Sequence, residues 1–305
     1  MTESPTRSLP ENIIESLKTE VPRQKDATTI CLYNFESSNV AADCVSSYVF
    51  ARKPVQVHTI VDRKVPAWAN SSVDVVIMSY SGNSPEVEEV YTCAKSRGCR
   101  IHCITSGGRL KEICEASGDD LLLVPPGLSN CNATGYEIGV LANLYEAMGI
   151  EGIKDELSRA LPKVIEYRDR TWECDDVRRL AMQIRGKIPA IYCTGELRAV
   201  HKRWKMLIND EVGRLAFSGE FPEFNHNELV SWVDESSDPS DFILIVFRTK
   251  TESELLNHIL FTSTDLLKEH RLKIRTIDLE GELLERCICG IVYADAVARY
   301  LKEAE

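Results

Sequence analysis

The stretch that decides the fold is VVIMSYSGNSPE, residues 75–86. An apolar run of strand length leads directly into a turn rich in hydroxyl groups. Pro85 then stands where a helix can begin, with Ser84 as its cap. A buried strand that passes through a short polar turn into a helix is typical of β–α–β units, in which helices connect parallel strands. The stretch therefore predicts a parallel sheet covered by helices.

The same alternation of strand and helix patterns runs along the whole chain. The predicted strands are apolar runs at Thr29–Tyr33, Val55–Ile60, Val73–Ser79, Arg100–Thr105, Asp120–Val124, Ala190–Thr194, Leu215–Phe217, Phe242–Phe247 and Lys273–Leu279. Gly149 to Gly152 interrupts two helical patterns near the middle of the chain. We therefore expect two doubly wound α/β domains, residues 1–150 and 151–305, with a ligand in the cleft between them.

Composition excludes several classes of function. The net charge of -11 argues against binding to nucleic acid and to anionic membranes, because both require a basic surface. No apolar run is long enough to cross a bilayer. The first nine residues are polar and lack the apolar core of a signal peptide. We therefore expect a cytoplasmic protein with a small-molecule ligand.

The 11 cysteines are scattered singly along the chain. There is no CxxC motif and no cysteine pair joined to a histidine pair at zinc spacing. Most lie inside apolar segments, as Cys31 and Cys193 do. We interpret them as small buried hydrophobic residues in a reducing compartment, and we expect neither a metal nor another cofactor.

The polar turn after the third predicted strand points to an anion site. At the carboxyl end of a parallel strand, backbone N–H groups and the dipole of the following helix are directed at one spot. Ser79, Ser81 and Ser84 add three hydroxyl donors there. An ordinary capped turn is the alternative, but generic turns seldom contain three hydroxyl groups, so a phosphate-binding role is favoured. A second turn, residues 105–109, either lines the same cleft or is a flexible connection.

Two segments of the second half carry acid–base groups. Asp210 and Glu211 end a helical pattern, and residues 220–228 form a polar segment that contains His226. Interconversion of an aldose and a ketose requires a carboxylate near the carbon acid and a histidine or lysine that serves the ring oxygen. Both residue types are present within one short stretch. The alternative for a lone histidine before a helix start is a local cap or a surface residue.

These motifs together carry a family resemblance. Residues 79–84, SYSGNS, resemble the SYSGNT phosphate-binding signature of sugar isomerase (SIS) domains. With residues 105–110 and the motifs of the second half, the chain resembles the archaeal-type bifunctional phosphoglucose/phosphomannose isomerases. The resemblance implies two SIS-like domains that interconvert glucose 6-phosphate or mannose 6-phosphate with fructose 6-phosphate through an enediolate. It also implies a homodimer, because in this family the histidine reaches the site of the neighbouring subunit.

The resemblance assigns roles to particular residues. The family places its catalytic glutamate in an Asn-Glu-Asn segment, sixteen residues before the histidine of a Pro-Glu-x-x-His-Asn motif. Here that histidine matches His226, and the glutamate position falls on Asp210. By resemblance, Asp210 is the base, while His226 and Lys302 serve ring opening and proton transfer. For Lys302, near the end of the chain, the alternative is a solvated side chain that complements a helix dipole.

The chain departs from the family in the first half at two places. The family's glycine-rich GxGGSG loop is replaced by residues 34–39, in which Glu36 brings a negative charge. Ser37 and Ser38 of this loop are still expected to donate hydrogen bonds to the phosphosugar. Cys131 stands where the family has an arginine, and a thiol does not supply the positive charge that stabilises an enediolate.

A third departure is the base itself. Asp210 is one methylene shorter than glutamate, and a displacement of roughly 1 Å in a catalytic group can lower a rate about 100-fold. Glu211 is adjacent, but neighbouring residues of an α-helix point roughly 100° apart, so it is expected to be a poor substitute. A catalytically weak or inactive sugar-phosphate-binding protein is therefore the alternative to an active isomerase.

Overall fold

A computed structural model describes residues 5–35, 37–270 and 272–303. Their contacts divide the chain between Leu161 and Pro162 into two compact units, here called unit 1 and unit 2. This division falls inside a helix that begins at Ile153. The domain boundary between residues 150 and 151 stays a prediction. In the described part of the chain, no helix combines the length and apolar character needed to span a membrane.

Unit 1 is built on a five-stranded parallel sheet. Its strands, in the spatial order β2-β1-β3-β4-β5, are β1 (Thr29–Asn34), β2 (Gln56–Ile60), β3 (Asp74–Met78), β4 (Arg100–Thr105) and β5 (Asp120–Leu123). The helices that begin in this unit are α1 (Leu9–Ser16), α2 (Ser38–Arg52), α3 (Pro85–Ser96), α4 (Gly108–Ser117), α5 (Asn130–Ala147) and α6 (Ile153–Trp172).

Both faces of this sheet are covered. On one face, Val75 and Ile77 of β3 form a buried apolar cluster with Val90 of α3 and Leu110 of α4. Helices α1 and α2 pack against α5, whose side chains are almost all buried. The central strand β3 is buried along its whole length, as a parallel strand with helices on both sides should be.

Unit 2 repeats the architecture with four parallel strands in the order β7-β6-β8-β9. The strands are β6 (Ile188–Thr194), β7 (Phe217–Phe221), β8 (Phe242–Thr249) and β9 (Lys273–Leu279). The helices are α7 (Asp175–Ile184), α8 (Arg198–Met206), α9 (Glu223–Asn227), α10 (Leu229–Trp232), α11 (Glu254–Glu269) and α12 (Leu283–Glu303). The predicted fold class, two parallel sheets covered by helices, is confirmed.

Two local expectations in unit 2 are wrong. The strand predicted at Leu215–Phe217 lies instead at Phe217–Phe221, where it pairs in parallel with β6. Ser218, Gly219 and Glu220 have low intrinsic strand propensity, but tertiary pairing overrides that local preference. The helical pattern that was expected to end at Asp210 and Glu211 leaves α-helical geometry after Met206.

The cysteines behave as interpreted from the sequence. All eleven are free thiols, and nine of them are buried. Burial raises the pKa of the Cys31 thiol to about 11 and that of the Cys289 thiol to about 12, so both stay protonated at neutral pH. Such thiols pack as small apolar groups.

Candidate active site

The serine turn of unit 1 follows β3 and leads into α3. Ser79 is buried, and its Oγ accepts a hydrogen bond from the Gly82 N–H at 3.2 Å. The same Oγ lies 3.3 Å from the Ser84 Oγ, and the Ser81 Oγ accepts from the Asn83 N–H at 3.2 Å. The turn therefore brings the hydroxyl groups of Ser79, Ser81 and Ser84 together at the start of a helix, a favourable place for an anion.

The second turn, residues 105–109, is joined to the serine turn. The Arg109 N–H donates to the Asn83 Oδ1 at 3.0 Å. The Ser106 N–H and Oγ–H both donate to the Tyr80 carbonyl oxygen, at 3.0 and 2.7 Å. The second turn is thus part of the same surface and is not a flexible connection. Asn83 and Tyr80, which hold the two turns together, were given no role in the sequence analysis, although both belong to the quoted motif.

Two glycines allow the turns to approach this closely. Gly82 has φ +65° and Gly108 has φ +67°, a conformation that disfavours residues with a Cβ. A Cβ on Gly82 would lie 2.0 Å from the Gly107 carbonyl oxygen, and one on Gly108 would lie 2.3 Å from the Ser81 carbonyl oxygen. Glycine is therefore required at both positions by conformation and by space.

The loop after β1 holds its serines in internal contacts. The Ser37 Oγ donates to the Asn130 carbonyl oxygen at 2.8 Å, and the Ser38 Oγ donates to the Glu137 carboxylate. Both serines are buried. Their hydroxyl protons are already donated within unit 1, so contact with a ligand requires them to change partners. Glu36, the charged residue of this loop, lies outside the described residues.

Cys131 lies in the first turn of α5 and is buried. Its neighbour Asn130 is the residue whose carbonyl accepts the Ser37 hydroxyl, so Cys131 sits beside the loop that follows β1. A buried thiol at this position adds no positive charge to the surface of unit 1. The consequence for catalysis stays a prediction.

In unit 2 the two adjacent carboxylates lie in a π-helical turn, Leu207–Glu211. The Val212 N–H donates to the Leu207 carbonyl oxygen at 3.0 Å, which is an i to i+5 hydrogen bond. The Asn209 Oδ1 then accepts from the Ala216 N–H at 2.8 Å and ties the turn to the residue before β7. Nothing in the sequence marks this turn as π-helical.

The two carboxylates have different surroundings. Glu211 is 30% exposed and accepts a hydrogen bond from the Nζ of Lys302, which lies in the last turn of α12. Asp210 is exposed, and no side chain in the described ranges makes a hydrogen bond or ion pair with its carboxylate. Of the predicted catalytic groups in unit 2, Lys302 therefore meets Glu211 and not Asp210.

A buried ion pair lies behind these groups. The Asp295 Oδ1 accepts hydrogen bonds from the Nε and an Nη of Arg203, at 2.9 and 2.7 Å. Both side chains are fully buried. Because Arg203 belongs to α8 and Asp295 to α12, the pair fixes the helix that leads to Glu211 against the helix that carries Lys302.

The segment around His226 lies at the other end of β7. His226 is exposed on the short helix α9. Just before it, Glu220 forms a two-point ion pair with Arg198, with distances of 2.7 and 2.9 Å. Burial alone would raise the pKa of the Glu220 carboxyl, but hydrogen bonds from His201 and Arg198 lower it to about 2. Glu220 is thus a permanently ionised structural group and a poor candidate for a base.

Asp210 and His226 lie in segments that flank opposite ends of β7. The π turn that carries Asp210 is tied to the start of β7 through Asn209, and His226 follows the end of that strand. The first and last Cα atoms of this five-residue strand are about 13 Å apart, at about 3.3 Å per residue.

Comparisons with known proteins agree with the fold. Residues 174–305 match the family model described as the bacterial phospho-glucose isomerase C-terminal SIS domain. A solved structure, the C-terminal domain of glucosamine-fructose-6-phosphate aminotransferase from Francisella tularensis, has a TM-score of 0.74 and covers 98% of this chain and 94% of its own. Its sequence is only 11% identical, so this likeness concerns the fold alone.

Curated relatives extend the similarity over most of the chain. The bifunctional phosphoglucose/phosphomannose isomerase of Caldicellulosiruptor bescii is 29% identical over 300 residues, which are 95% of this chain and 87% of that protein. The D-glucosamine-6-phosphate 4-epimerase of Sulfolobus acidocaldarius is 28% identical, over 76% of this chain and 72% of that protein. The chain is thus similar over most of its length to the bifunctional phosphoglucose/phosphomannose isomerases, and its second half matches a SIS-domain model.

Proposed function

We propose that this protein is a phosphosugar isomerase that interconverts glucose 6-phosphate, mannose 6-phosphate or both with fructose 6-phosphate through an enediolate. The observation that carries the proposal is the serine turn, in which three hydroxyl groups gather at a helix start and a second turn holds them in place. Similarity to named isomerases over most of the chain supports the same substrate class.

Each part of the reaction has candidate groups in the chain. Ser79, Ser81 and Ser84 bind the phosphate, which leaves the sugar end free to react. A carboxylate of the Asp210 and Glu211 pair moves the proton between C1 and C2. His226 and Lys302 serve the ring oxygen and the hydroxyl protons, since opening the ring and forming the enediolate both need proton transfer to oxygen.

We further propose that the protein works as a homodimer in the cytoplasm. The location of Asp210 and His226 at opposite ends of β7 supports a site to which two copies contribute. Free and mostly buried thiols at all eleven cysteines suit a reducing compartment. Ser37, Ser38 and Cys131 lie together beside the loop after β1 and are proposed to border the sugar, with Ser37 and Ser38 exchanging their internal hydrogen bonds for the ligand.

The alternative of a binding protein without turnover is not favoured. It was suggested by the altered glycine loop, by Cys131 and by the shorter carboxylate of Asp210. The curated relatives carry enzyme names, and the unit 2 groups that proton transfer needs are present in this chain. Binding without turnover nonetheless remains a measurable outcome of the experiment below.

The test is conversion of single phosphosugars by the purified protein. Fructose 6-phosphate, glucose 6-phosphate and mannose 6-phosphate are incubated separately, and the products are identified by proton NMR. We expect aldose and ketose to interconvert in the wild type and to do so at least about 100-fold more slowly in His226→Ala, as for loss of a general acid–base group. His258→Ala, an exposed histidine of α11, is the matched control. Absence of product above the His226→Ala level would remove the proposal, whether or not the sugars bind.

A further inference from the structure

The π turn changes which carboxylate faces α12. An α-helix joins residue i to i+4, whereas the hydrogen bond from Val212 to Leu207 encloses one residue more. One added residue rotates everything after it by one position, about 100°, relative to a continuous α-helix. Glu211 therefore lies on the face that residue 210 would occupy in a regular helix. The expectation that Glu211 is a poor substitute assumed a continuous α-helix, and the π turn instead places Glu211 on the face of residue 210.

The contacts of the two carboxylates agree with this rotation. Asp295 and Lys302 are seven residues apart on α12, so they lie on one face of that helix. The Lys302 Nζ bonds to Glu211, and on the same helix face Asp295 is fixed by Arg203. Asp210 is exposed, and no hydrogen bond or ion pair joins it to Lys302 or Arg203. Among the described residues, Glu211 is thus the carboxylate of the adjacent pair that contacts a predicted catalytic group, Lys302.

From these contacts we propose that Glu211, hydrogen-bonded to Lys302, is the carboxylate that removes the substrate proton, in place of Asp210. The inference rests on the proposed isomerase function and deepens it. A glutamate at this position restores the side-chain length that Asp210 lacks. Lys302 is already in contact with Glu211. A cation is therefore next to the position where negative charge develops on the sugar as Glu211 removes the proton.

The proton and electron movements balance without any further reactant. In fructose 6-phosphate, the Glu211 carboxylate takes a proton from C1, and the electrons of that C–H bond form the C1–C2 double bond while the C2 carbonyl becomes an O2 alkoxide. The Lys302 ammonium donates a proton to O2 and recovers one from the O1 hydroxyl. As the C1 carbonyl forms, the Glu211 carboxylic acid returns its proton to C2. The product is the aldose, and both side chains regain their starting states.

The experiment compares Glu211→Gln with Asp210→Asn in deuterium oxide, with fructose 6-phosphate as substrate. Proton NMR follows deuterium entry at C1 together with aldose formation, because both require the same proton removal. We expect Glu211→Gln to lower kcat by about 100-fold or more, the range typical of a lost general base, with KM changed by less than about threefold. The loss in Asp210→Asn should be at least about 10-fold smaller.

Two further variants separate catalysis from folding. Glu211→Asp keeps the charge and shortens the reach, so it is expected to lower kcat by about 10- to 100-fold at unchanged thermal stability, and it decides the matter if Glu211→Gln does not fold. The double variant Glu211→Gln, Lys302→Met should be no slower than the slower single variant, because groups that act as a unit are not additive.

The possible failures are distinguishable. A wild type that neither exchanges nor isomerises any of the three sugars removes the proposed function and this inference with it. An active wild type in which Asp210→Asn loses as much as Glu211→Gln, or more, overturns the inference alone. Glu211→Gln or Glu211→Asp with wild-type kcat also overturns it.

Discussion

A Cβ atom on Gly82 would lie 2.0 Å from the carbonyl oxygen of Gly107, so the two turns at the end of the unit 1 sheet approach each other backbone to backbone. The clash would be with a main-chain atom, which does not move aside as the end of a flexible side chain does. The position of the serine hydroxyl groups therefore depends on a residue that contributes no side chain to the site.

Gly82→Ala is expected to weaken phosphosugar binding by at least about 10-fold, equal to about 1.4 kcal/mol, because the serine turn must move to relieve the clash. Gly118→Ala is the matched control, since Gly118 has φ +68° and no atom within 4 Å of its Cβ position. Both variants carry the cost of a left-handed conformation, about 1–2 kcal/mol, but only Gly82→Ala carries the clash. Calorimetric titration with fructose 6-phosphate measures the difference, and equal affinities would contradict this account of the turn.

His102 predicts a pH dependence of stability. Its Nε2 lies 3.1 Å from Asp74 and its Nδ1 lies 2.9 Å from Asp120. Burial alone would lower the pKa of His102, but hydrogen bonds that its ring nitrogens donate to the Asp120 and Asp74 carboxylates outweigh burial and raise the pKa above 6.5. A raised pKa means that the protonated form is favoured in the folded state. The stability that His102 contributes is therefore complete below pH 6.5 and is lost as pH rises through the folded-state value.

Urea unfolding between pH 5.5 and 8.5 tests this linkage. The free energy of unfolding of the wild type should fall with rising pH, and His102→Asn should remove that part of the slope. His258→Asn, at an exposed position of α11, should keep the wild-type slope. Parallel curves for the wild type and His102→Asn would show that the two carboxylates do not hold a protonated imidazole.

Much of the fold was predictable from the sequence because its determinants are local. Arg100–Thr105 and Lys273–Leu279 were predicted with the bounds that the structure shows, since each is a strand-length segment rich in β-branched residues. Helix α1 was not predicted, and its place depends on distant glycines. A Cβ on Gly135 of α5 would lie 2.5 Å from the Leu9 carbonyl oxygen, so this packing is visible only once the two helices meet.

In the candidate site, too, features set by consecutive residues were predictable and features set by distant contacts were not. The serine turn was predictable because its hydroxyl groups, its glycine and its helix cap are consecutive. The contact between Glu211 and Lys302 was not, because the two residues are 91 positions apart and meet only through the packing of α8 against α12. The π turn that directs Glu211 toward Lys302 has no signature in the sequence, so the helix face on which each carboxylate lies was not predictable.

The buried pair of Arg203 and Asp295 predicts a large loss of stability when one partner is removed. Asp295→Leu removes the acceptor of two hydrogen bonds from a buried guanidinium and is expected to lower the free energy of unfolding by about 3–5 kcal/mol. The double variant Arg203→Met, Asp295→Leu should lose at least about 1 kcal/mol less than the sum of the two single variants, because they share one interaction. Urea unfolding measures all three, and strict additivity would mean that the pair is not coupled.

A shared active site predicts recovery of activity in mixed dimers. His226→Ala and Lys302→Met should each be inactive alone, since each site then lacks one group. In a hybrid of the two, one site receives the intact Lys302 of one copy and the intact His226 of the other, while the second site carries both changes. Random mixing makes about half of the dimers hybrids, each with one of two sites intact, so about a quarter of wild-type activity should return.

The control for this mixing experiment changes two residues that belong to the same copy of the site. Glu211 and Lys302 are in contact within one copy, so a hybrid of Glu211→Gln with Lys302→Met leaves every site with one change and should stay inactive. Recovery in this control would point to subunit effects unrelated to site sharing. No recovery in the hybrid of His226→Ala with Lys302→Met, although size-exclusion chromatography shows mixed dimers, would mean that each copy completes its own site. The placement of Asp210 and His226 at opposite ends of β7 would then not indicate a shared site.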